Sequence, residues 1–363
     1  MTDEEGAMKS PARLRDVAAR AGVSIRTVSN VVNGYAPVSE EKRKRVEAAV
    51  AELGYRPNAL ARNLKNGRSG LIALVVPELD VPYFSELARA VIARAREFGY
   101  TVVVDQTDGD RERERELIQR EGDAALFDGV ILSALSLSQH DLPPYDPSRP
   151  LVLLGERMVD GGYDHVAIDN VAAAKAATEH LFDIGRTRVA AIGDQPYETG
   201  ETAQLRTRGF LQAHEERGIP VDRSLIIPRR NFHFSDGADA MLKLLNRSDG
   251  PPDAVFCYND LIAIGAIRTL LTHGVRVPKD IAVVGFDDIE AGRYLTPSLT
   301  TIAPDRAAIA KLAVERLVAR LRSAEAEAAE LFVDYQLIIR ESTTGEASST
   351  VQRRRGAERG PWE

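Results

Sequence analysis

The side chains best suited to specific chemistry lie close together between residues 25 and 30. Arg26 could bridge guanine O6 and N7, Asn30 could bridge adenine N6 and N7, and Ile25 could touch a thymine methyl group. Positions 25, 26, 29 and 30 share one face of a helix, which places Ser29 in the same set. This combination on one exposed helix face indicates side chains that read base edges in the major groove of DNA.

Two short helices must position this face. The apolar residues of segment 14–21 recur at helical spacing, and Gly22 then supplies a residue that tolerates a tight left-handed turn. Ser24 is a good N-cap for a second helix, whose apolar face falls at residues 28–32. The pattern predicts a helix-turn-helix, although an αα-hairpin that only packs would show the same spacing.

A third helix and the charge distribution favour the DNA-binding alternative. Ser39 is expected to begin the third helix, and Gly54 is expected to end it. Residues 12–68 carry 12 Lys and Arg against 5 Asp and Glu, a balance of +7 in a chain of formal net charge −7. A basic head on an acidic body is typical of a nucleic-acid module joined to a ligand-binding or assembly module.

The stretch from Leu14 to Leu64 resembles the DNA-binding headpiece of the lactose-repressor/galactose-repressor (LacI/GalR) family, and later motifs extend the resemblance to about Arg340. The resemblance implies a helix-turn-helix domain over 12–56, a hinge over 57–68 and an effector-binding and dimerisation domain over 69–342. It implies a homodimer on a pseudo-palindromic double-stranded operator. The DNA contacts that it implies are Ser24, Ile25, Arg26, Thr27, Ser29, Asn30 and Asn33, with Ala61, Leu64 and Lys65 in the hinge.

The hinge has two interpretations from its own residues. Pro57 stops the preceding helix and Asn58 can cap a new one, but two helical turns are marginal in isolation. The segment could be a flexible tether, or a helix that folds only on DNA. In the family this hinge enters the minor groove, and Leu64 occupies the position of the leucine that wedges between base pairs.

From Leu71 the pattern changes to buried, β-branched runs that alternate with helices, which indicates parallel sheets covered on both faces. At least nine strands are better divided between two sheets, with a boundary near residue 169. The resemblance implies two doubly wound, periplasmic-binding-protein-like subdomains, with further crossings near 298–304 and 329–332. Residues 1–11 and 343–363 are polar and are expected to be disordered. The predicted helices are 83–99, 203–217, 236–246, 260–273 and 305–322.

Polar and aromatic residues follow several of these strands, and ligands of doubly wound sheets bind at the carboxyl ends of the strands. Each residue has a plain alternative: Asp287 could cap a helix, Phe232 could be core, and Arg206 could be a surface charge. The resemblance implies that a set of them lines an effector cleft, with a sugar or sugar derivative as the ligand. Gly200 departs from the arginine of the purine-binding members, which argues against a purine. The implied effector residues are Tyr83, Phe84, Arg206, Phe232, Asn259 and Asp287.

Other functional classes find little support in the sequence. No run of about 18 uncharged apolar residues predicts a membrane span, the N-terminus lacks the apolar core of a secretory signal, and Cys257 is the only cysteine. The six histidines show no metal spacing, and no phosphate loop or nucleophile motif is present, so we expect no metal, no cofactor and no enzyme activity. The leading hypothesis is a cytoplasmic, nucleoid-associated transcriptional regulator. The alternative hypothesis is a cytoplasmic small-molecule binding protein or enzyme with a similar body fold. The tail lacks leucine heptads, which favours a dimer over a tetramer.

Overall fold

The computed structural model describes residues 12–33, 36–55, 68–119, 126–137, 141–155, 162–196, 201–323, 327–346 and 350–354. The chain divides into two compact units, Met1–Ser69 and Gly70–Glu363. The predicted leader, Gly200 and the predicted hinge contacts Ala61, Leu64 and Lys65 lie outside the described residues, and so does the side chain of Asn33.

The first unit contains three helices, α1 (Leu14–Ala21), α2 (Ile25–Asn33) and α3 (Glu40–Leu53). Val17, Val28 and Val46, one from each helix, are completely buried and form the centre of a small core. Gly22 ends α1 with φ of 63°, a left-handed conformation that glycine adopts without the steric cost of a side chain. The predicted N-cap Ser39 lies at the start of α3, but its side chain makes no capping hydrogen bond.

The second unit contains a six-stranded parallel sheet among its described residues, in the order β11-β5-β4-β3-β1-β2. The strands are β1 (Leu71–Val76), β2 (Thr101–Gln106), β3 (Gly129–Ser133), β4 (Leu151–Leu154), β5 (Asp164–Ile168) and β11 (Glu330–Val333). The helices joined to this sheet are α4 (Pro82–Glu97), α5 (Arg111–Gln119) and α11 (Arg306–Arg322). We call this part of the body the first half.

β1 is buried on both faces of the first sheet, which explains its continuous apolar run. Leu74 faces the core that contains Leu87 of α4 and Leu317 of α11, whereas the neighbouring Val75 faces a separate cluster with Leu132. Each fully buried aliphatic side chain contributes roughly 1.5–3 kcal/mol through removal of apolar surface from water. The alternation along β1 therefore stabilises packing on both faces, as parallel sheets require.

The second half is built on a seven-stranded sheet among the described residues, in the order β13-β12-β10-β9-β8-β6-β7. Its strands are β6 (Val189–Asp194), β7 (Ile226–Pro228), β8 (Ala254–Cys257), β9 (Ala282–Phe286), β10 (Thr300–Pro304), β12 (Tyr335–Ile339) and β13 (Thr350–Arg354). Its helices are α6 (Asn170–Asp183), α7 (Glu201–Arg217), α8 (Phe234–Leu245), α9 (Asp260–Thr272), α10 (Glu290–Arg293) and α12 (Glu341–Thr344). The β10–β12 and β12–β13 pairs are antiparallel, whereas the strands from β10 to β7 in this order pair in parallel.

Helices α8 and α9 cross in backbone contact, which fixes the start of α9. A Cβ atom on Gly237 would lie 2.0 Å from the carbonyl oxygen of Ile262, and one on Gly265 would lie 2.0 Å from the carbonyl oxygen of Phe234. No larger residue fits at either position without movement of the helices. The close crossing holds the first turn of α9 against the first turn of α8.

The chain passes between the two halves near residues 169, 305 and 334, because α11 and β11 return to the first sheet before β12 joins the second.

The expectation of disorder from residue 343 onward is wrong for residues 343–344, which belong to α12, and for 350–354, which form β13. β13 pairs with β12 through main-chain hydrogen bonds, which do not require an apolar run in the sequence. Among the described residues, no helix has both the length and the apolar character needed to cross a membrane.

Candidate functional site

The exposed face of α2 carries the residues expected to read DNA. Val28 is completely buried beneath the helix, which turns Ile25 and Arg26 outward, and Ile25 is 54% exposed. Ser29 and Asn30, one turn later, are partly exposed on the same side. An isoleucine exposed to this extent at the start of a helix is available for contact with a partner surface.

Local hydrogen bonds fix the start of α2. The hydroxyl of Ser24 accepts a hydrogen bond from the backbone N–H of Thr27 at 3.1 Å, and the two hydroxyl groups lie 2.9 Å apart. This is the predicted N-cap, and it leaves Ser24 and Thr27 at the positive end of the helix, which favours contact with phosphate. A two-point ion pair between Arg20 and Glu52, at 2.9 and 2.7 Å, joins α1 to α3 behind this surface.

A second site lies in the body, where a cleft of about 420 Å³ is lined by residues from both sheets. It opens at the carboxyl ends of the strands, the position where doubly wound sheets bind ligands. The structure brings together there all six residues expected to contact an effector, which the sequence spreads over about 200 positions: Tyr83, Phe84, Arg206, Phe232, Asn259 and Asp287.

Arg206 is held in place from three sides. Its Nε donates to Asn170 Oδ1 at 2.9 Å, its Nη1 donates to the carbonyl oxygen of Tyr258, and its guanidinium lies 3.6 Å from the centre of the Phe286 ring. It is only 6% exposed, which rules out the alternative of a surface charge. Because the guanidinium of this lining residue is already held in place, it loses little conformational entropy when it binds a ligand.

Asn259 is the N-cap of α9, and its side chain also holds the backbone of Phe232, another lining residue of the cleft. Its Oδ1 accepts from the backbone N–H of Ile262 at 2.9 Å, and its Nδ2 donates to the carbonyl oxygen of Phe232 at 2.9 Å. Both ends of the amide are therefore engaged within the protein. The arrangement makes Asn259 a support for Phe232 as well as a lining residue of the cleft.

Asp287 lies in an unusual backbone turn that directly follows β9. Asp287 and Asp288 have φ of 112° and 51°, in the left-handed region that residues other than glycine rarely adopt. The backbone N–H of Asp287 donates to the carbonyl oxygen of Ile302 at 2.8 Å. Strained backbone persists where surrounding contacts determine it, and it is frequent in ligand-binding sites.

A buried carboxyl group supports this turn from below. Asp260 is completely buried, and its oxygens accept from the backbone N–H of Ile289 at 2.9 Å and from the hydroxyl of Thr301 at 2.6 Å. Burial raises the pKa of Asp260 well above its ordinary value, and the nearby Asp287 raises it further. The neutral form is therefore favoured more at Asp260 than at an exposed aspartate.

The walls of the cleft come from both halves. Tyr83 and Phe84 of α4 stand edge to face, with ring centres 5.2 Å apart, and Phe232 lines the cleft from the second half. At the mouth, Glu78 Oε2 lies 3.6 Å from His233 Nε2. Burial raises the pKa of Glu78, and the attraction of His233 opposes that shift.

The structure adds lining residues that the sequence did not single out. Among them, Ser133 and Ser136 adjoin β3, Gln195 follows β6, and Arg230 and Asn231 follow β7. The rule that ligands bind at the carboxyl ends of strands would have found them had it been applied to every strand. Within the described part of the chain, no group of three or more His, Cys, Asp or Glu side chains is placed to share a metal ion.

With this geometry established, comparison with known families gives two matches. Residues 13–58 match the bacterial regulatory proteins of the lacI family. Residues 178–343 match the periplasmic binding protein-like domain. The two matches fall on the helical unit and on the body, respectively.

Individual proteins resemble the chain over most of its length. The HTH-type transcriptional regulator DegA of Bacillus subtilis (strain 168) is 36% identical over 292 residues, which are 79% of this chain and 85% of DegA. The ribose operon repressor of Escherichia coli (strain K12) is 35% identical over 316 residues, 85% of this chain and 93% of the repressor. Among solved structures, the lac repressor dimer bound to operator and the anti-inducer ONPF shares 27% identity with a TM-score of 0.78, covering 92% of this chain and 99% of that one.

Proposed function

Because this chain belongs to the LacI family of bacterial regulatory proteins, it is a DNA-binding transcriptional regulator, and we propose that it is a repressor controlled by a sugar or sugar derivative. The observation that carries the proposal is the cleft of the body. Residues separated by about 200 positions line one space with a guanidinium, a carboxylate and aromatic rings. Sugar hydroxyl groups need donors and acceptors at fixed positions, and sugar C–H groups pack on aromatic faces.

We assign a role to each side of the cleft. Arg206 donates to ligand hydroxyl oxygens, and Asp287 accepts from ligand hydroxyl groups. The rings of Phe84 and Phe232, which come from different halves, enclose the ligand from opposite sides. A ligand that contacts both halves favours one arrangement of the halves over others, and this difference in affinity is the source of the regulatory signal.

We assign DNA reading to the exposed face of α2. Arg26 and Asn30 read bases, Ile25 contacts a thymine methyl group, and Ser24 and Thr27 contact the sugar-phosphate backbone. The match to a dimeric repressor on its operator supports a homodimer on a pseudo-palindromic site, since two identical heads require two-fold related half-sites. The protein then acts on chromosomal DNA in the cytoplasm. Its named relatives are transcriptional regulators, which supports a role in binding and not in catalysis.

Two measurements on the full-length protein test the proposal. Selection from a random double-stranded DNA library should yield a motif with two-fold symmetry, and a single asymmetric motif would contradict the dimer. Calorimetric titration with a panel of D-ribose, D-glucose, D-galactose, cellobiose and cytidine should identify a ligand.

A pair of aspartate variants places that ligand in the cleft. Asp287→Ala should lose ligand binding, while the matched surface variant Asp183→Ala, which loses only an ion pair with Arg217, should retain it. Retention of full ligand affinity by Asp287→Ala would remove the ligand from this cleft.

A further inference from the structure

The turn that presents Asp287 is fixed by contacts on several sides. The carboxylate of Asp288 bonds to Arg293 and to Arg340, both at 2.6 Å. The backbone of Asp287 is anchored to Ile302 of β10. These contacts hold the side chain of Asp288 and the N–H of Asp287, and they leave the two carbonyl groups of the turn to another partner.

Arg306, the first residue of α11, is that partner, and it also contacts α4 of the first half. Its Nη1 donates to the carbonyl oxygen of Asp287, and its Nη2 donates to the carbonyl oxygen of Asp288 at 3.1 Å. The same Nη2 lies 3.0 Å from Glu86 Oε2 on α4. The other oxygen of Glu86 accepts from the backbone N–H of Glu290 at 3.3 Å, so the carboxylate is held at two points.

We propose that Arg306 is a positioning residue for the effector, which couples the turn at Asp287 to the helix that carries the opposite wall. Glu86 belongs to the first turns of α4, directly after Tyr83 and Phe84. One guanidinium thus joins the carboxylate side of the cleft in the second half to its aromatic side in the first. The inference rests on the proposed function and deepens it, since it names a contact through which sugar binding at one half affects the other half.

The geometry distinguishes this link from an ordinary surface ion pair. The Arg306 side chain is 16% exposed and that of Glu86 33%, and the guanidinium holds two carbonyl oxygens in addition to the carboxylate. In the same region of the body, Val81, Leu261 and Ile289 form a buried apolar cluster against which Tyr83 and Phe84 pack. The guanidinium presents its donors to these acceptors in a rigid planar fork, whereas the ammonium group of a lysine is a compact charge on a flexible stem.

The test uses the full-length protein with Arg306→Lys, Glu86→Gln and a control, Arg316→Lys. Arg316 lies on the same helix, is 25% exposed and pairs with Asp164, and neither residue lines the cleft. Amide hydrogen exchange without ligand is followed in residues 84–88 and in residues 287–289, which leave out Glu290 because its N–H bonds directly to Glu86. Affinity is measured by calorimetry with D-ribose, D-glucose, D-galactose, cellobiose and cytidine.

Arg306→Lys should accelerate exchange by about tenfold in both segments and weaken sugar binding by about tenfold. Glu86→Gln should accelerate exchange at residues 287–289 as well as within α4, which a purely local role of Glu86 would not do, because its direct backbone contact is with the N–H of Glu290. Arg316→Lys should change neither the exchange rates of the two segments nor the affinity for sugar. Exchange that rises only around the mutated residue, or a sugar affinity unchanged within about twofold in Arg306→Lys, overturns the inference. A wild-type protein that binds none of the probes counts against the proposed function alone, and the exchange data then decide on Arg306.

Discussion

Replacement of Asn259 by alanine should weaken both the body and its ligand site, and the hydrogen bonds give the size of each effect. Loss of the N-cap on Ile262 costs about 1 kcal/mol, and loss of the bond to the Phe232 carbonyl costs about 1 kcal/mol more. The sum is about 2 kcal/mol, which should lower the melting temperature by roughly 3 °C, because an unfolding entropy of about 2.1 cal/mol/K per residue is summed over the whole body Gly70–Glu363.

Asn259→Asp separates the two effects, because a carboxylate retains the capping oxygen and loses only the donor to Phe232. We expect Asn259→Asp to lower the free energy of unfolding by about 1 kcal/mol. We expect Asn259→Asp and Asn259→Ala alike to reduce ligand affinity about fivefold, because a loss of about 1 kcal/mol corresponds to that factor. Asp222→Ala is the matched control: it removes a cap at 3.0 Å from Ser224 on a distant 3₁₀ turn and should leave ligand affinity unchanged.

Circular dichroism melting and calorimetric titration measure the two quantities. If Asn259 acts through Phe232, the double variant Asn259→Asp/Phe232→Ala should bind ligand no more weakly than Phe232→Ala alone. Additive losses in the double variant would refute the reasoning, because they would require the amide to touch the ligand directly.

Three further predictions concern the head and the buried carboxyl group. Arg26→Ala should cost about 1–3 kcal/mol at one base pair per half-site and relax the preference there, as measured by anisotropy titrations on single-base operator variants; equal loss on all sequences would make Arg26 a phosphate contact. Val28→Ala deletes two buried methyl groups and should destabilise the three-helix unit by about 2 kcal/mol, with faster amide exchange in α1–α3, whereas unchanged exchange would mean that the core tolerates the cavity. The raised pKa of Asp260 means that its contribution to stability is present below the ordinary value of 3.8 and is lost as pH rises through the folded-state pKa. Asp260→Asn should therefore flatten the dependence of the urea midpoint on pH, and a slope identical to wild type would contradict this assignment.

The sequence predicted those parts of the fold whose signals are local. The start of α2 at Ser24 follows from capping, and β1 follows from an unbroken apolar run that both faces of a sheet bury. It did not predict β11 as the edge of the first sheet, because its residues Glu330–Val333 are few and partly exposed. Pairing with β5, some 160 positions away in the chain, decides its place.

The candidate cleft shows the same division between local and long-range information. Residues that directly follow strands, such as Asp287, could be named because parallel strands end at one edge of a sheet. Arg306 and Arg340 could not, because their side chains act on a turn that lies 18 or more positions away in the chain. The backbone strain at Asp287 and Asp288 was equally invisible, since long-range bonds impose it.

The central claim is that occupancy of the cleft changes the affinity for DNA. The most direct measurement is the dissociation constant of the full-length protein for its selected operator, with and without saturating ligand, in wild type and in Asp287→Ala. A coupling of about 1–3 kcal/mol predicts that ligand changes the wild-type operator affinity by about 5- to 150-fold, and linkage requires operator DNA to change ligand affinity by the same factor. Asp287→Ala should bind operator like the ligand-free wild type and should not respond. Equal operator affinity with and without ligand in the wild type would contradict the account.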